Sequence, residues 1–438
     1  MMDGVVLGAY RAVMTAAAGA ATLTASLPVP AGWRGLEPRL GRLDAGARAM
    51  ASAAPAIWVH AASVGELLAV RPLLAQLRER FPGRLYVVST MTETGLALAR
   101  TMPEAHLALL FPIDAPHVVR SLVEQFRLEA FLFTETEIWP NLLLELEAAH
   151  VPAIMASGRV SARTAARAGW LRPLYRRALA QVYCCMQTPD DAERIVALGA
   201  DPRRVQVAGS LKFDATLAEP PAAVQRLGAL LREAGRRLLV AGSTHEGEDA
   251  PVLAAYGQLV RTHPELALLL APRHPERLQD VATLTAAQGL PVALFTAVTA
   301  PDGTLPGGPG VVLLDVVGPL AHCYALADMA FVGGTLVPVG GHNLLEPARA
   351  GRPILFGPYT DNVADLAERL VVAGGAVRVA APEALADALE PLLAEPARAA
   401  DMGRRAQALA ESGQGALGRH VKVVAARLSS AGFARAVG

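Results

Sequence analysis

From residue 56 onward the chain alternates short apolar runs with longer stretches in which apolar residues recur every three or four positions. In the first half the runs are AIWVHAAS, RLYVVST, LALLFP, EAFLFT, VPAIMAS, VYCCMQ and RVQVAGS, with helical stretches such as PNLLLELEAAH and DDAERIVALGA between them. The segment LAEPPAA, Leu217 to Ala223, breaks the pattern, because paired prolines sit inside neither a helix nor a strand. The alternation then restarts with RLLVAGS, LALLLAPR, PVALFTAV, GVVLLDVV, MAFVGG and RPILFGP. Runs that are apolar throughout predict strands covered on both faces, and a helix after each predicts parallel pairing.

Two such units predict an α/β protein of two Rossmann-like domains facing a central cleft, and 438 residues are enough for two cores. The expected divisions are an N-terminal segment at 1–50, a first domain at 51–216 and a second at 224–438. Open parallel sheets bind ligands beyond the carboxyl ends of their strands, so the chemistry belongs in the turns that follow the runs.

Between Ala12 and Trp33 no residue is charged (AVMTAAAGAATLTASLPVPAGW), a length that could reach across a bilayer. The stretch is mostly Ala, Gly and Thr and contains Pro28 and Pro30, so its drive to insert is weak. A secretory signal peptide would show a similar apolar core. Against that, only Arg11 precedes the stretch, offset by Asp3, while Arg34, Arg39, Arg42 and Arg48 follow it. This asymmetry favours an uncleaved membrane-associating helix, with the rest of the chain on the cytoplasmic side.

Charge and cysteine usage remove other classes. Forty basic and forty acidic residues leave no net charge, so nucleic acid is not an expected partner. Cys184, Cys185 and Cys323 show neither zinc spacing nor a disulfide pattern, and read as buried apolar residues of a reducing compartment. Only Lys212 and Lys422 are lysines in a chain that otherwise uses arginine. A retained lysine points to a place that needs a compact ammonium rather than a planar fork, and it marks Lys212.

The turns hold an unusual share of the polar residues. The first run ends in Ser63-Val64-Gly65-Glu66, whose S-x-x-E spacing is that of a helix capping box. Glu66 is therefore either a cap or a carboxylate aimed at a substrate. TETEIWPN carries Glu135, Glu137 and Asn141, and GSLKFD carries Lys212. The second half offers GSTHEGED, APRHPER with Arg273 and His274, DVVGPL, and GGTLVPVGGHNLLEP with His342, Asn343 and Glu346. Each has a purely structural reading. Glu135 and Glu137 meet the positive end of the following helix, GGHN is a turn closed by an Asn cap, and Arg273 and Lys212 are solvated charges. Taken together, basic groups, acidic groups and helix N-termini occupy the same end of both sheets, which suits an anionic ligand.

No G-x-x-x-x-G-K-[ST] loop and no G-x-G-x-x-G following a strand occurs, which removes support for ATPase and nicotinamide chemistry. D-x-D and G-x-S-x-G are missing as well. What remains is a metal-free transferase that needs no cofactor.

The motifs HAASVGE, TETEIWPNL, GSLKFD, STHEGE, APRHPER, ADMAFVGGTLVPVGGHNLLEPA and GPYTDN lie in this order between about residues 55 and 365. They resemble those of the 3-deoxy-D-manno-octulosonic acid (Kdo) transferases of lipopolysaccharide assembly, a GT-B glycosyltransferase family. The resemblance implies transfer of Kdo from CMP-Kdo to a lipid A precursor, lipid IVA, at the cytoplasmic face of the inner membrane, whose lipids are further partners. It matches Glu66 to the family's catalytic base, and Glu135 and Lys212 to supporting groups around the transition state. Arg273 and His274, the turn Gly318, Pro319, Leu320, and the stretch Asn343, Leu344, Leu345, Glu346 match its CMP-binding segments.

Two departures stand out. Ser157-Gly158 lies where the family usually has Asn-Ala before the arginine, and Pro319 lies where an acidic residue is common, so that only its carbonyl could contact the nucleotide. The chemistry agrees with the resemblance. A carboxylate opposite the leaving group favours one displacement with inversion, Glu66 taking the proton of the acceptor hydroxyl. Lys212 would meet charge on the CMP phosphate or the Kdo carboxylate, and Arg273 presents a fork to phosphate. The alternatives are another GT-B enzyme, such as a lipid glycosyltransferase or a sugar epimerase, and an inactive sugar-nucleotide-binding module. Retention of Glu66, Glu135 and Lys212 together argues against the last.

Overall fold

The computed structural model describes residues 2–25, 39–161, 164–165, 169–214 and 219–437. The chain divides into two compact units, Met1–Ala215 with Gly413–Gly438, and Thr216–Ser412. In the first unit the strands are β1 (Ala56–His60), β2 (Leu85–Thr90), β3 (Leu107–Leu110), β4 (Leu128–Thr134), β5 (Ala153–Gly158), β6 (Tyr183–Met186) and β7 (Val205–Val207). They form one parallel sheet in the order β3-β2-β1-β4-β5-β6-β7.

The central strand β1 is buried at every residue. Because successive side chains point to opposite faces, Trp58 joins Phe111, Phe126, Phe131 and Phe133 on one side. Ile57 and Val59 join Leu67, Val70 and Leu74 on the other. Helices cover both faces, which is the reason the run has no polar alternation. Each such side chain taken fully out of water contributes roughly 1.5–3 kcal/mol.

The second unit holds β8 (Arg237–Thr244), β9 (Leu266–Pro272), β10 (Val292–Leu294), β11 (Val311–Leu313), β12 (Met329–Val332), β13 (Ile354–Phe356) and β14 (Ala376–Arg378). This sheet is also parallel, in the order β10-β11-β9-β8-β12-β13-β14. All the apolar runs of the sequence become strands, and β14 is an addition. It has three residues at the sheet edge, and Arg378 ends its apolar stretch after Ala376 and Val377, so it carries no apolar run to read. The run PVALFTAV is strand only to Leu294, and Phe295–Val298 turn helically.

The N-terminal helix spans Met2–Ala25, and the part of the uncharged stretch beyond it lies outside the described residues. Ala18 and Ala21 pack with Leu40, Ala115 and Val118 of the first unit, and the Tyr10 hydroxyl donates to Asp114 Oδ2 at 2.8 Å. Val5, Val13 and Leu23 stay exposed. By length and composition alone, Gly4–Leu23 is long and apolar enough to cross a membrane.

The chain's end differs from the expected division at 224–438. Residues Gly413–Gly438 belong to the first unit. The helix Ala416–Val437 places Val421, Val424 and Leu428 into the cluster of Ile57, Val59 and Leu67. Its start is held there by Asp214, whose carboxylate accepts the Gly415 and Leu417 N–H groups. An apolar stripe shows that a terminal helix must be covered, but carries no record of which sheet covers it.

Candidate active site

In the first unit the ends of β1, β4 and β7 bring Glu66, Glu135 and Lys212 to the carboxyl edge of the sheet. The helix Val64–Arg80 starts at Ser63, whose hydroxyl oxygen accepts the Glu66 N–H at 3.3 Å, the first half of a capping box. The second half is altered. The Glu66 carboxylate accepts the Ser63 hydroxyl on Oε1 at 2.9 Å, and on Oε2 the Ala62 N–H at 3.2 Å and the Thr134 hydroxyl. Thr134 is the last residue of β4, so the carboxylate leans across the sheet edge instead of back along its own helix. It remains partly exposed.

The next residue, Glu135, has φ +52°, a left-handed conformation that costs a side-chain-bearing residue about 1–3 kcal/mol and is kept where the surroundings demand it. Its Oε1 accepts the Lys212 ammonium at 2.7 Å. The two side chains are 24% and 48% exposed, so water screens the pair and its net stabilisation is about 0–1 kcal/mol. What the contact supplies is position.

Lys212 sits in the short turn Leu211–Asp214, and that turn rests on Ser157. Ser157 Oγ accepts the Leu211 N–H at 2.8 Å, while the Ser157 N–H donates to His420 Nε2 at 2.9 Å. His420 donates from Nδ1 to the Ala416 carbonyl at 2.7 Å, which leaves Nε2 as the acceptor. Burial lowers the His420 pKa, against the Ala416 bond that raises it, so the imidazole is held neutral in that role.

Glu137 and Asn141, from the same TETEIWPN turn, are engaged differently. Glu137 Oε2 accepts the Trp139 indole N–H at 3.1 Å and lies 3.6 Å from Nε2 of the buried His60. Asn141 is fully buried. Its N–H and that of Leu142 donate to the Asp114 carboxylate at 3.0 and 2.8 Å, so Asp114 caps the helix Pro140–Ala148 from a distant segment. Burial pushes the Asp114 carboxyl up to about 6, opposed by those N–H groups and by Tyr10.

In the second unit the turn after β8 meets the glycine-rich loop after β12. Glu248 is fully buried and accepts four backbone N–H groups, from His245 at 2.8 Å, Gly334 at 2.6 Å, Thr335 at 2.9 Å and Leu336 at 2.8 Å. A Cβ on Gly333 would stand 2.5 Å from the Ser243 carbonyl oxygen, so only glycine allows this approach. His342, from the same loop, stacks on His245 with ring centroids 5.0 Å apart and an Nε2–Nε2 distance of 2.7 Å. His274 meets His245 edge-on at 5.4 Å. Burial, then the charges of His245, Arg273 and His274, hold His342 down at about 4. His342 is therefore neutral near pH 7, in a setting that resists additional positive charge.

Arg273 and His274 stand exposed beyond β9. Asn343 accepts the Leu345 N–H at 3.0 Å on its side-chain oxygen and donates to Glu346 Oε1 at 3.0 Å. Burial raises the Glu346 pKa, opposed by the Asn343 bond. Gly318 has φ +117°, which opens the turn before the helix Leu320–Leu326.

The profile of the family described as 3-deoxy-D-manno-octulosonic-acid transferase (kdotransferase) matches residues 34–215. A 3-deoxy-D-manno-octulosonic acid transferase from Bordetella pertussis is 38% identical over 395 residues, covering 87% of this chain and 89% of that protein. The chain belongs to the 3-deoxy-D-manno-octulosonic-acid transferase family. It is thus a glycosyltransferase whose sugar is Kdo. The transferase of the same name from Haemophilus influenzae is 33% identical over 342 residues, 77% of this chain and 79% of that protein. Among solved structures, the UDP-GlcNAc 2-epimerase from Neisseria meningitidis aligns with a TM-score of 0.56 at 11% identity, covering 85% of this chain and 99% of that one. At that identity the likeness concerns the fold alone, which is GT-B-like.

For this Kdo transferase family member, several residues matched by motif have mainly internal partners. Leu344 and Leu345 are buried. The Pro319 carbonyl, expected to be that residue's only possible contact with a nucleotide, accepts the His322 and Cys323 N–H groups at 3.0 and 2.9 Å. Both of its lone pairs are thereby used to start a helix. Conversely, sequence reasoning left out Thr134, Ser157, His245 and Glu248 as site-building residues. The density of polar residues in STHEGE directly after an apolar run was the available signal for the last two. That Glu248 turns inward, and His245 toward His342, was not readable.

Proposed function

We propose that this enzyme moves Kdo from CMP-Kdo to a lipid A precursor, lipid IVA, by one inverting displacement in which Glu66 is the general base. The observation that carries the reading is the Glu66 carboxylate, partly exposed at the carboxyl edge of the first sheet and steered there by Ala62, Ser63 and Thr134. Two donors engage Oε2 and one engages Oε1, so Oε1 keeps a lone pair for a substrate hydroxyl. In the displacement the acceptor oxygen bonds to the anomeric carbon of Kdo and its proton passes to Glu66. The bond from that carbon to the CMP phosphate oxygen breaks, and the electron pair leaves with CMP. Lys212, held by Glu135, offers an ammonium to the Kdo carboxylate or the CMP phosphate.

Recognition of CMP is assigned to the second unit, to Arg273, His274, Gly318, Leu320, Asn343 and Glu346. The reading needs neither metal nor cofactor. The N-terminal helix turns Tyr10, Ala18 and Ala21 to the protein. Its exposed Val5, Val13 and Leu23 are then free to enter the cytoplasmic face of the inner membrane, where the helix lies on the bilayer.

The test is purified protein with CMP-Kdo and lipid IVA, product mass by mass spectrometry and anomeric configuration by NMR, with UDP-sugars as rival donors. Kdo-bearing lipid of inverted configuration is expected. Product from a UDP-sugar and none from CMP-Kdo would overturn the assignment, and retained configuration would overturn the mechanism.

A further inference from the structure

The amino edge of the first sheet, opposite Glu66, holds a feature that the transfer reaction does not use. Where β6 and β7 begin there is a cavity of about 570 Å³, and a neighbour of about 460 Å³ shares its Tyr183, Arg204 and Arg427. Both guanidinium groups lie over the Tyr183 ring, with Cζ of Arg204 at 4.6 Å and Cζ of Arg427 at 4.4 Å from its centroid. Arg427 also donates to the Tyr183 hydroxyl at 3.0 Å.

The acids nearby are already taken. Asp201 is paired with Arg203 at 2.7 Å, and Glu147 with Arg177. The hydrogen bond of Arg204 goes to the Gln181 carbonyl, and the buried Nε of Arg427 has no partner among the described residues. Lys422 lines the same cavity from the last helix and takes part in no ion pair among the described residues. It is one of only two lysines in the chain, the other being Lys212.

We propose that this cavity is a binding site for a phosphate-bearing anion, held by Arg204, Arg427 and Lys422. Two forks fixed against an aromatic ring lose little freedom when they grip an oxyanion, and an ammonium adds a third, mobile contact. Arg204 shares the Asp201 carboxylate with Arg203, and Arg427 and Lys422 have no carboxylate partner among the described residues. The three cations thus outnumber the acid beside them, and an entering anion offsets their mutual repulsion. A soluble phosphate ester and the phosphate of an anionic lipid headgroup share this chemistry.

The full chain, carrying Arg273→Gln to remove the exposed fork of the second unit, is titrated with pyrophosphate by calorimetry at low salt. Saturable binding that weakens as salt rises is expected, with Kd increased about tenfold or more by Lys422→Gln. Arg427→Gln should act likewise. If that variant melts early, Lys422→Gln alone decides, since Lys422 is exposed. Flotation with phosphatidylglycerol against phosphatidylcholine vesicles separates the sources. A preference for anionic vesicles that Lys422→Gln abolishes identifies a lipid headgroup, and an unchanged preference beside weakened pyrophosphate binding identifies a soluble ester. Absence of saturable binding, or equal affinity in wild type and Lys422→Gln, overturns the proposal.

Discussion

Replacing Glu66 by Gln separates a cap from a base, because the two roles fail in different measurements. The glutamine oxygen can keep the Ala62 N–H and the Thr134 hydroxyl as donors. Its amide nitrogen, in the place of Oε1, can donate to Ser63 Oγ, whose own hydrogen then turns to solvent. One hydrogen bond reverses direction and no buried group loses its partner, so the stability change should stay below about 1 kcal/mol. For a unit of this size that is a Tm shift of about 2–4 °C or less. The proton acceptor, however, is gone. General-base removal lowers rates by about 10²–10⁴-fold, which adds about 3–5 kcal/mol to the barrier. The assay is kcat for Kdo transfer from CMP-Kdo to lipid IVA in detergent, with product measured by mass spectrometry, beside a thermal melt and calorimetric CMP binding. CMP affinity should not change, since CMP is assigned to residues of the other unit. A variant that keeps a tenth of wild-type kcat would show that Glu66 only shapes its helix. A variant that loses activity together with several degrees of Tm or with CMP affinity would refute the reasoning from hydrogen bonds.

Four further outcomes are expected. Lys212→Arg should slow transfer about tenfold or more although charge is kept, because a wide fork cannot take the ammonium's place against Glu135; near-normal rates would show the lysine to be incidental. EDTA should leave activity unchanged, and a loss restored by Mg²⁺ or Mn²⁺ would sink the metal-free reading. The His342 pKa, about 4 when folded against 6.5 in an ordinary setting, means that between these values the unfolded chain binds the extra proton. Stability should therefore fall as pH drops from 6.5 toward 4, and His342→Gln should flatten that part of a plot of denaturant midpoint against pH; an unchanged slope would refute it. Deleting residues 1–33 removes the Tyr10 bond to Asp114 and uncovers Leu40, Ala115 and Val118. It should lower Tm by a few degrees, on the order of 1 kcal/mol, and reduce transfer to acceptor in anionic vesicles more than in detergent. Equal losses in the two assays would mean that the helix helps to build the acceptor site.

The strands were legible because their physical requirement is local. A strand covered on both faces needs an apolar side chain at every position, and AIWVH meets that need within five consecutive residues. The same holds for the turns that carry Glu66, Glu135, Lys212 and Arg273, since chain direction in a parallel sheet places every strand end on one edge. The first half of the Ser63 cap was readable for a similar reason, as its two partners are three residues apart. Edge strand β14 escaped because only Ala376 and Val377 precede Arg378, too short an apolar run to stand out.

What tertiary structure alone decided lies in contacts between residues far apart in the chain. The Thr134 hydroxyl reaches Glu66 across 68 positions, Lys212 reaches Glu135 across 77, and the Ser157 N–H finds His420 across 263. The last helix, apolar along one stripe, returns to the first sheet because Asp214 and the open face beside Ile57 and Val59 receive it. Pro319 could be read as lacking a donor, but only the folded turn commits its carbonyl to two N–H groups. Periodicity reports how much of a segment must leave water, because burial is a property of each side chain. Which oxygen meets which hydrogen depends on where two segments arrive together, and no single stretch of chain encodes that.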